Sequence, residues 1–209
     1  SLIRSGLVEQ DRLTSRYDLG PFALNLGLVA LDRVDRIRLG LNAISELRDL
    51  TNETVALAVW SDRGPVIVRW ERPRRPITVN VLTGTSLSLL SSAAGRVFAA
   101  WLPEAQTDAL LRAEIESGRV PAGIATLGDA RRQLAEVRAQ GLAVISSGYF
   151  ARGVEAAAGP VFNFKNEINM SIALVGVEGT LDLRPQSPVL LALRDACDAL
   201  SLRLGATAI

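Results

Sequence analysis

The chain has 209 residues, 48% of them hydrophobic, and a formal net charge of +1. That length suits one large domain, or one domain with a smaller piece, around a substantial core. The near-neutral balance gives no global attraction to nucleic acid or to an anionic membrane. A single cysteine, Cys197, and the absence of histidine exclude Cys/His metal sites, Ser-His-Asp triads and Cys-His dyads together. A lone thiol at a helical core spacing reads as an inert buried residue, and neither cofactor nor metal is expected. No apolar run has the length of a membrane span: residues 19–31 are interrupted by Pro21 and Asn25. Ser1 is followed by no charged or cleavable leader pattern, so the expectation is a cytoplasmic protein of which this chain is a portion. Lys165 is the only lysine among the basic residues. That reads as a coding bias, and it argues against taking each arginine as a phosphate ligand.

Residues 1–6 read as the end of a helix with Gly6 as C-cap, residues 7–8 as a strand, 9–15 as a polar turn and 16–19 as a second strand closed by Gly20-Pro21. Helix tail, strand, turn and strand are the back end of a winged helix, with 9–15 as the wing; a hairpin at a domain edge fits the same pattern. Residues 22–31 are helical and apolar on more than one face, as a buried or interfacial helix is. Residues 34–50 form a second helix with Ile37, Leu41, Ile44 and Leu47 on one buried stripe.

Strands at 54–60 and 65–69 are joined by the turn Asp62-Arg63-Gly64 as a hairpin, and 77–81 is a third strand. Between them, Arg72, Arg74 and Arg75 read as a solvated loop or the rim of a pocket or subunit contact rather than a nucleic-acid surface. The stretch 87–103 passes from an apolar segment with small polar residues into a helix. Its turn of Ser, Ala and Gly has almost no side-chain bulk, so backbone can approach another element or a ligand.

Pro103 opens a helix to about Ser117, with Ala109, Leu110, Ala113 and Ile115 inward. Residues 127–140 form an amphipathic helix, Leu134 and Val137 inward and Arg131, Arg132, Glu136 and Arg138 outward, capped by Gly141. Strands at 142–145, 156–162 and 168–175 follow, and residues 187–204 close the chain as a helix. Consecutive strands with short turns predict an α+β domain, an antiparallel sheet flanked by helices.

Four segments together resemble the IclR family of bacterial transcriptional regulators. Residues 6–9 (GLVE) with 16–21 (RYDLGP) are similar to the end of a recognition helix and its wing. Residues 51–59 (TNETVALAV) resemble the family's "T.ETV.LAV" opening of the effector domain. Residues 92–103 (SAAGRVFAAWLP) resemble its "SA.GR.FLA.LP" helix start, and 137–141 (VRAQG) with 153–162 (GVEAAAGPVF) resemble "VR..G…GV.AIAAPVF". The resemblance implies a GAF-like effector-binding domain over residues 34–209. It also implies a linker helix over 21–33 and, over 1–20, the remnant of a winged helix-turn-helix domain lying mostly upstream of Ser1. It implies operator DNA and a small organic acid as partners, no membrane, and assembly as homodimers or dimers of dimers (homotetramers).

The family's effector lies between the sheet and the Ser-Ala-Gly helix start, where free N–H groups face an anion. Carried onto this chain, the contacts are Val81, Leu87, Leu89, Ser91, Ser92, Ala93, Ala94, Gly95, Tyr149, Ala173 and Val175, with Ser91 and Ser92 adding hydroxyl donors. The chain departs from the family where many members have an acidic residue in loop 146–153, and where binders of very small keto acids have small polar residues near 173–175. Both departures remove polar partners, and a buried polar ligand group without partners costs about 1–3 kcal/mol. An aromatic or medium-sized acid is therefore expected, its carboxylate at Ala93–Gly95. The same residues also fit plain core packing. On the wing, Arg4, Arg12, Ser15, Arg16 and Tyr17 are candidates for positioning contacts to DNA. An enzyme is disfavoured, since Glu114 and Glu116 have no base or nucleophile beside them. A stand-alone GAF-like sensor without DNA binding is the nearer rival.

Overall fold

A computed structural model describes residues 2–11, 14–26, 35–73, 82–146 and 153–207. The chain divides into two compact units, Ser1–Ile37 and Arg38–Ile209.

In the first unit, β1 (Val8–Gln10) and β2 (Tyr17–Leu19) pair antiparallel from Val8↔Leu19 to Gln10↔Tyr17. The expected helix end at 1–6 is instead a set of turns over residues 2–6. The Leu2 carbonyl there accepts from the amides of Leu7 and Val8 and from the Ser5 hydroxyl. Gly20 permits the closure of this unit, because a Cβ there would stand 2.2 Å from the Gly6 carbonyl oxygen. Residues 21–26 are helical, with Phe22, Leu24 and Leu26 exposed; the continuation expected to 31 lies outside the described residues.

The second unit is built on a five-stranded antiparallel sheet of order β4-β3-β7-β6-β5. Its strands are β3 (Thr54–Ser61), β4 (Gly64–Glu71), β5 (Ala143–Ile145), β6 (Val154–Phe162) and β7 (Ile168–Val177). Successive side chains alternate between the two faces, and the runs Thr54–Ala58, Ala157–Val161 and Met170–Gly176 of β3, β6 and β7 are buried throughout. A sheet buried on both faces needs a helical layer on each side.

One layer holds α1 (Arg36–Thr51) and α5 (Pro188–Arg203). Its packing is close where glycine allows it. A Cβ on Gly40 would meet Leu57 Cδ2 at 2.8 Å and one on Gly159 would meet Cys197 Sγ at 2.7 Å. The buried stripe of α1 is Gly40, Ala43, Ile44 and Leu47. Ile37, expected on it, is 44% exposed, because the helix turns its glycine rather than its isoleucine to the sheet.

The other layer holds α2 (Ala93–Trp101), α3 (Glu104–Glu116) and α4 (Leu127–Gln140). In α3 the buried pair is Thr107 and Leu111; Ala109 and Ala113, expected inward, are exposed. Arg131 of α4 is not outward either: it is largely covered, pairs with Asp108 and donates to Thr107 Oγ1 at 3.0 Å, tying α4 to α3. The expected strand 77–81 lies outside the described residues.

Candidate functional site

The orientation of α2 follows from two aromatic contacts. Phe98 packs on Trp60 with ring centroids 5.8 Å apart, and Trp101 packs edge-on to Phe162 at 6.1 Å. Trp60 and Phe162 stand at the C-terminal ends of β3 and β6, which run the same way because each is antiparallel to β7. The last turns of α2 therefore lie over that end, and its first turn lies toward the opposite end of the sheet.

Beneath that first turn the sheet is made of small side chains. Register aligns Ala143, Ala158, Ala173 and Ala56 in one row across four strands. A second row, Ile145, Ala156, Val175 and Thr54, runs beside it. Ala93 and Ala94 belong to the same buried cluster as Ala173 and Val175, together with Leu89. Tertiary structure thus gathers five of the expected contacts. Leu87 packs at the edge of this cluster, and with Leu89 it also lines a separate cavity of about 250 Å³ beside Arg63, Pro65, Leu110 and Glu114. Val81, Tyr149 and Arg12 lie outside the described residues. The alanines of β3, β5 and β6 went unread in the sequence as site residues. Their signal is the run Ala156-Ala157-Ala158, whose alternate members face this layer.

The turn before α2 is held by its own polar groups. Glu114 of α3 accepts from Leu89 N at 2.7 Å, Leu90 N at 3.1 Å and Ser88 Oγ at 2.8 Å. Arg96 Nε donates to the Leu90 carbonyl at 2.7 Å, and burial draws the guanidinium pKa below its usual range. Ser92 is the N-cap: its Oγ accepts from Gly95 N at 3.0 Å and donates to the Ser88 carbonyl at 2.7 Å. Ser91 Oγ donates to the Arg119 carbonyl at 3.3 Å. Each hydroxyl has one proton to give, and in this structure Ser91 and Ser92 give theirs to backbone carbonyls. At Gly95 the space a Cβ would take is held by the Ser88 carbonyl oxygen, 1.9 Å from it. Ala93 and Ala94, both buried, begin the helix. The positive end of the helix dipole is directed there.

On the β1–β2 hairpin, Arg16 and Tyr17 are exposed, and Ser15 takes a left-handed φ of 56° at the tip. Arg4 sits on the turn that precedes the hairpin.

The family profile described as the C-terminal domain of the bacterial transcriptional regulator IclR matches residues 29–202. The chain belongs to the IclR family of bacterial transcriptional regulators. The crystal structure of HmgR from Pseudomonas aeruginosa is similar to it at 36% identity, with a TM-score of 0.89 over 100% of this chain and 82% of that one. The HTH-type transcriptional regulator XynR of Escherichia coli is 26% identical over 96% of this chain and 79% of its own length. IclR of Thermotoga maritima, at 20% identity and a TM-score of 0.72, shares the fold. An IclR-family chain is a regulator and not an enzyme. IclR regulators bind operator DNA and small-molecule effectors.

Proposed function

We propose that this chain is mainly the effector-sensing and oligomerisation part of a ligand-responsive regulator, and that its effector is an aromatic or medium-sized organic acid. The observation that carries this reading is the apolar floor of Ala56, Ala158, Ala173 and Val175 under the first turn of α2. A two- or three-carbon keto acid would have little apolar body to bury there, whereas each fully covered CH₂ or ring CH contributes about 0.8 kcal/mol. The carboxylate meets the positive end of α2 at Ala93 and Ala94. Residues 1–20 are assigned as the wing side of the DNA-binding domain, with Arg4, Arg12, Ser15, Arg16 and Tyr17 positioning it on phosphates. Residues 21–33 are the linker helix, whose exposed Phe22, Leu24 and Leu26 suit pairing with a second copy, and 34–209 form the sensor. A cytoplasmic location suits a DNA-binding regulator, and among the described residues no helix is long and apolar enough to cross a membrane.

Calorimetric titration with phenylacetate, glyoxylate and pyruvate tests the effector reading, with phenylacetate expected to bind more tightly. Ala94→Trp, which sets an indole between α2 and the sheet, is expected to abolish that binding while the oligomeric state by light scattering is kept. Tighter glyoxylate binding, or an Ala94→Trp variant that binds normally, overturns the site.

A further inference from the structure

The outer face of the α1–α5 layer lies across the sheet from α2 and the alanine floor. Between these two helices runs an open groove of about 390 Å³. Its floor is Ala43, Leu47 and Leu200, all buried, and its rim carries Leu50 and Leu191, 75% and 41% exposed. On α5, residues four apart form a ridge of the helix surface. Here that ridge is Leu191, Asp195, Ala199 and Arg203, all four exposed. Beside it run Ala192 and Ala196, whose short side chains leave a groove that a second such ridge can enter.

Asp195 and Arg203 stand four residues either side of Ala199, about 12 Å apart along the helix axis and beyond each other's reach. Neither forms an ion pair or a side-chain hydrogen bond among the described residues. A twofold axis through Ala199 that sets two copies of α5 antiparallel changes this. Asp195 of each copy then faces Arg203 of the other, and the pair forms twice. An isologous interface needs a patch of this kind, in which residue i meets residue j and j meets i. A face of one sign would repel its own copy, whereas this face carries both signs placed symmetrically about a small residue.

We propose that this face is an interface between two copies of the chain, α5 crossing α5 in the antiparallel sense with Ala199 at the centre. This rests on the oligomerisation reading above and gives it a surface separate from the linker helix. Covering the apolar groove and Leu191 drives the association. The two ion pairs fix the register and disfavour other partners, which is what charges at an interface do best.

The experiment is sedimentation equilibrium on the full chain. Asp195→Arg and Arg203→Asp each set like charges face to face twice. Each is expected to weaken this contact about ten-fold or more, read as a lower average mass at the same chain concentration. The double variant reverses both pairs and is expected to restore the mass, a rescue that an unrelated partner on this face would not give. Ala199→Cys places two thiols at the axis, so mild oxidation is expected to give a covalent dimer on a non-reducing gel. Cys197 is buried, so the unmodified chain is expected to give none. The substituted positions are exposed, and thermal melting checks that each variant folds. An average mass unmoved by the single reversals, a double variant as dissociated as the singles, or no covalent dimer from Ala199→Cys overturns the inference. If the unmodified chain is oligomeric with any of those results, the oligomerisation reading stands on the linker helix. If the unmodified chain is monomeric, both fail.

Discussion

Gly95 holds the helix start to the turn before it. The Ser88 carbonyl oxygen and Ser92 Oγ would lie 1.9 Å and 2.6 Å from a Cβ at this position. The first of these is backbone, anchored by the bonds from Ser92 Oγ and by Glu114 on the neighbouring amides, so it has little freedom to retreat. Gly95→Ala is therefore expected to cost about 3 kcal/mol or more, in the range of severe core substitutions, read as a lower urea midpoint at unchanged slope. The sequence shows a glycine in a small-residue turn but not what stands in the place of its side chain. That occupant is a carbonyl seven residues back along a folded turn. Arg131 teaches the same lesson: its helical phase suggested solvent, yet Asp108 and Thr107 of another helix cover it.

At the scale of the element, α4 is stopped and started by local chemistry. Thr126 accepts from Asp129 N at 3.1 Å, and Asp129 Oδ2 accepts from Thr126 N at 2.9 Å and from the Thr126 hydroxyl, a reciprocal cap. These bonds, the Thr126 hydroxyl first, hold the Asp129 carboxyl below the usual carboxylate range. A depressed folded pKa stabilises the native state above the unfolded value of about 3.9, and the gain is lost as pH falls through the folded value. The urea midpoint of the unmodified chain should thus exceed that of Asp129→Asn at pH 7, with the gap closing as pH drops below about 4. A gap independent of pH would show that the ionised carboxylate contributes nothing. The span of α4 is legible in the sequence because its caps are local. The inward face of α3 is not, since its alanines carry too little apolar surface to decide a side and Thr107 is buried by tertiary packing.

For the whole molecule, Cys197 reports on the layer between α5 and the sheet. It is 1% exposed, faces Gly159, and burial pushes its thiol well above the usual range. The thiolate is the reactive form, so the native chain should resist iodoacetamide at pH 8 and become labelled only at the rate at which this layer opens. Fast labelling of folded protein by mass spectrometry would show that α5 does not stay on the sheet. The sequence reading of Cys197 as an inert core residue agrees with this burial.

The sequence by itself determined the layered α+β class, the antiparallel hairpins and the family, because alternation, turn residues and the four short motifs are local patterns that survive in one dimension. Only the tertiary structure decided which residues make the candidate site. Ala143, Ala158, Ala173 and Ala56 meet through inter-strand register, with Trp70 at the end of their row. Glu114 reaches a turn 24 to 26 residues away. Strand pairing and side-chain-to-backbone bonds of this kind are set by the whole hydrogen-bonded sheet and its covering helices. No segment of the chain carries that information alone.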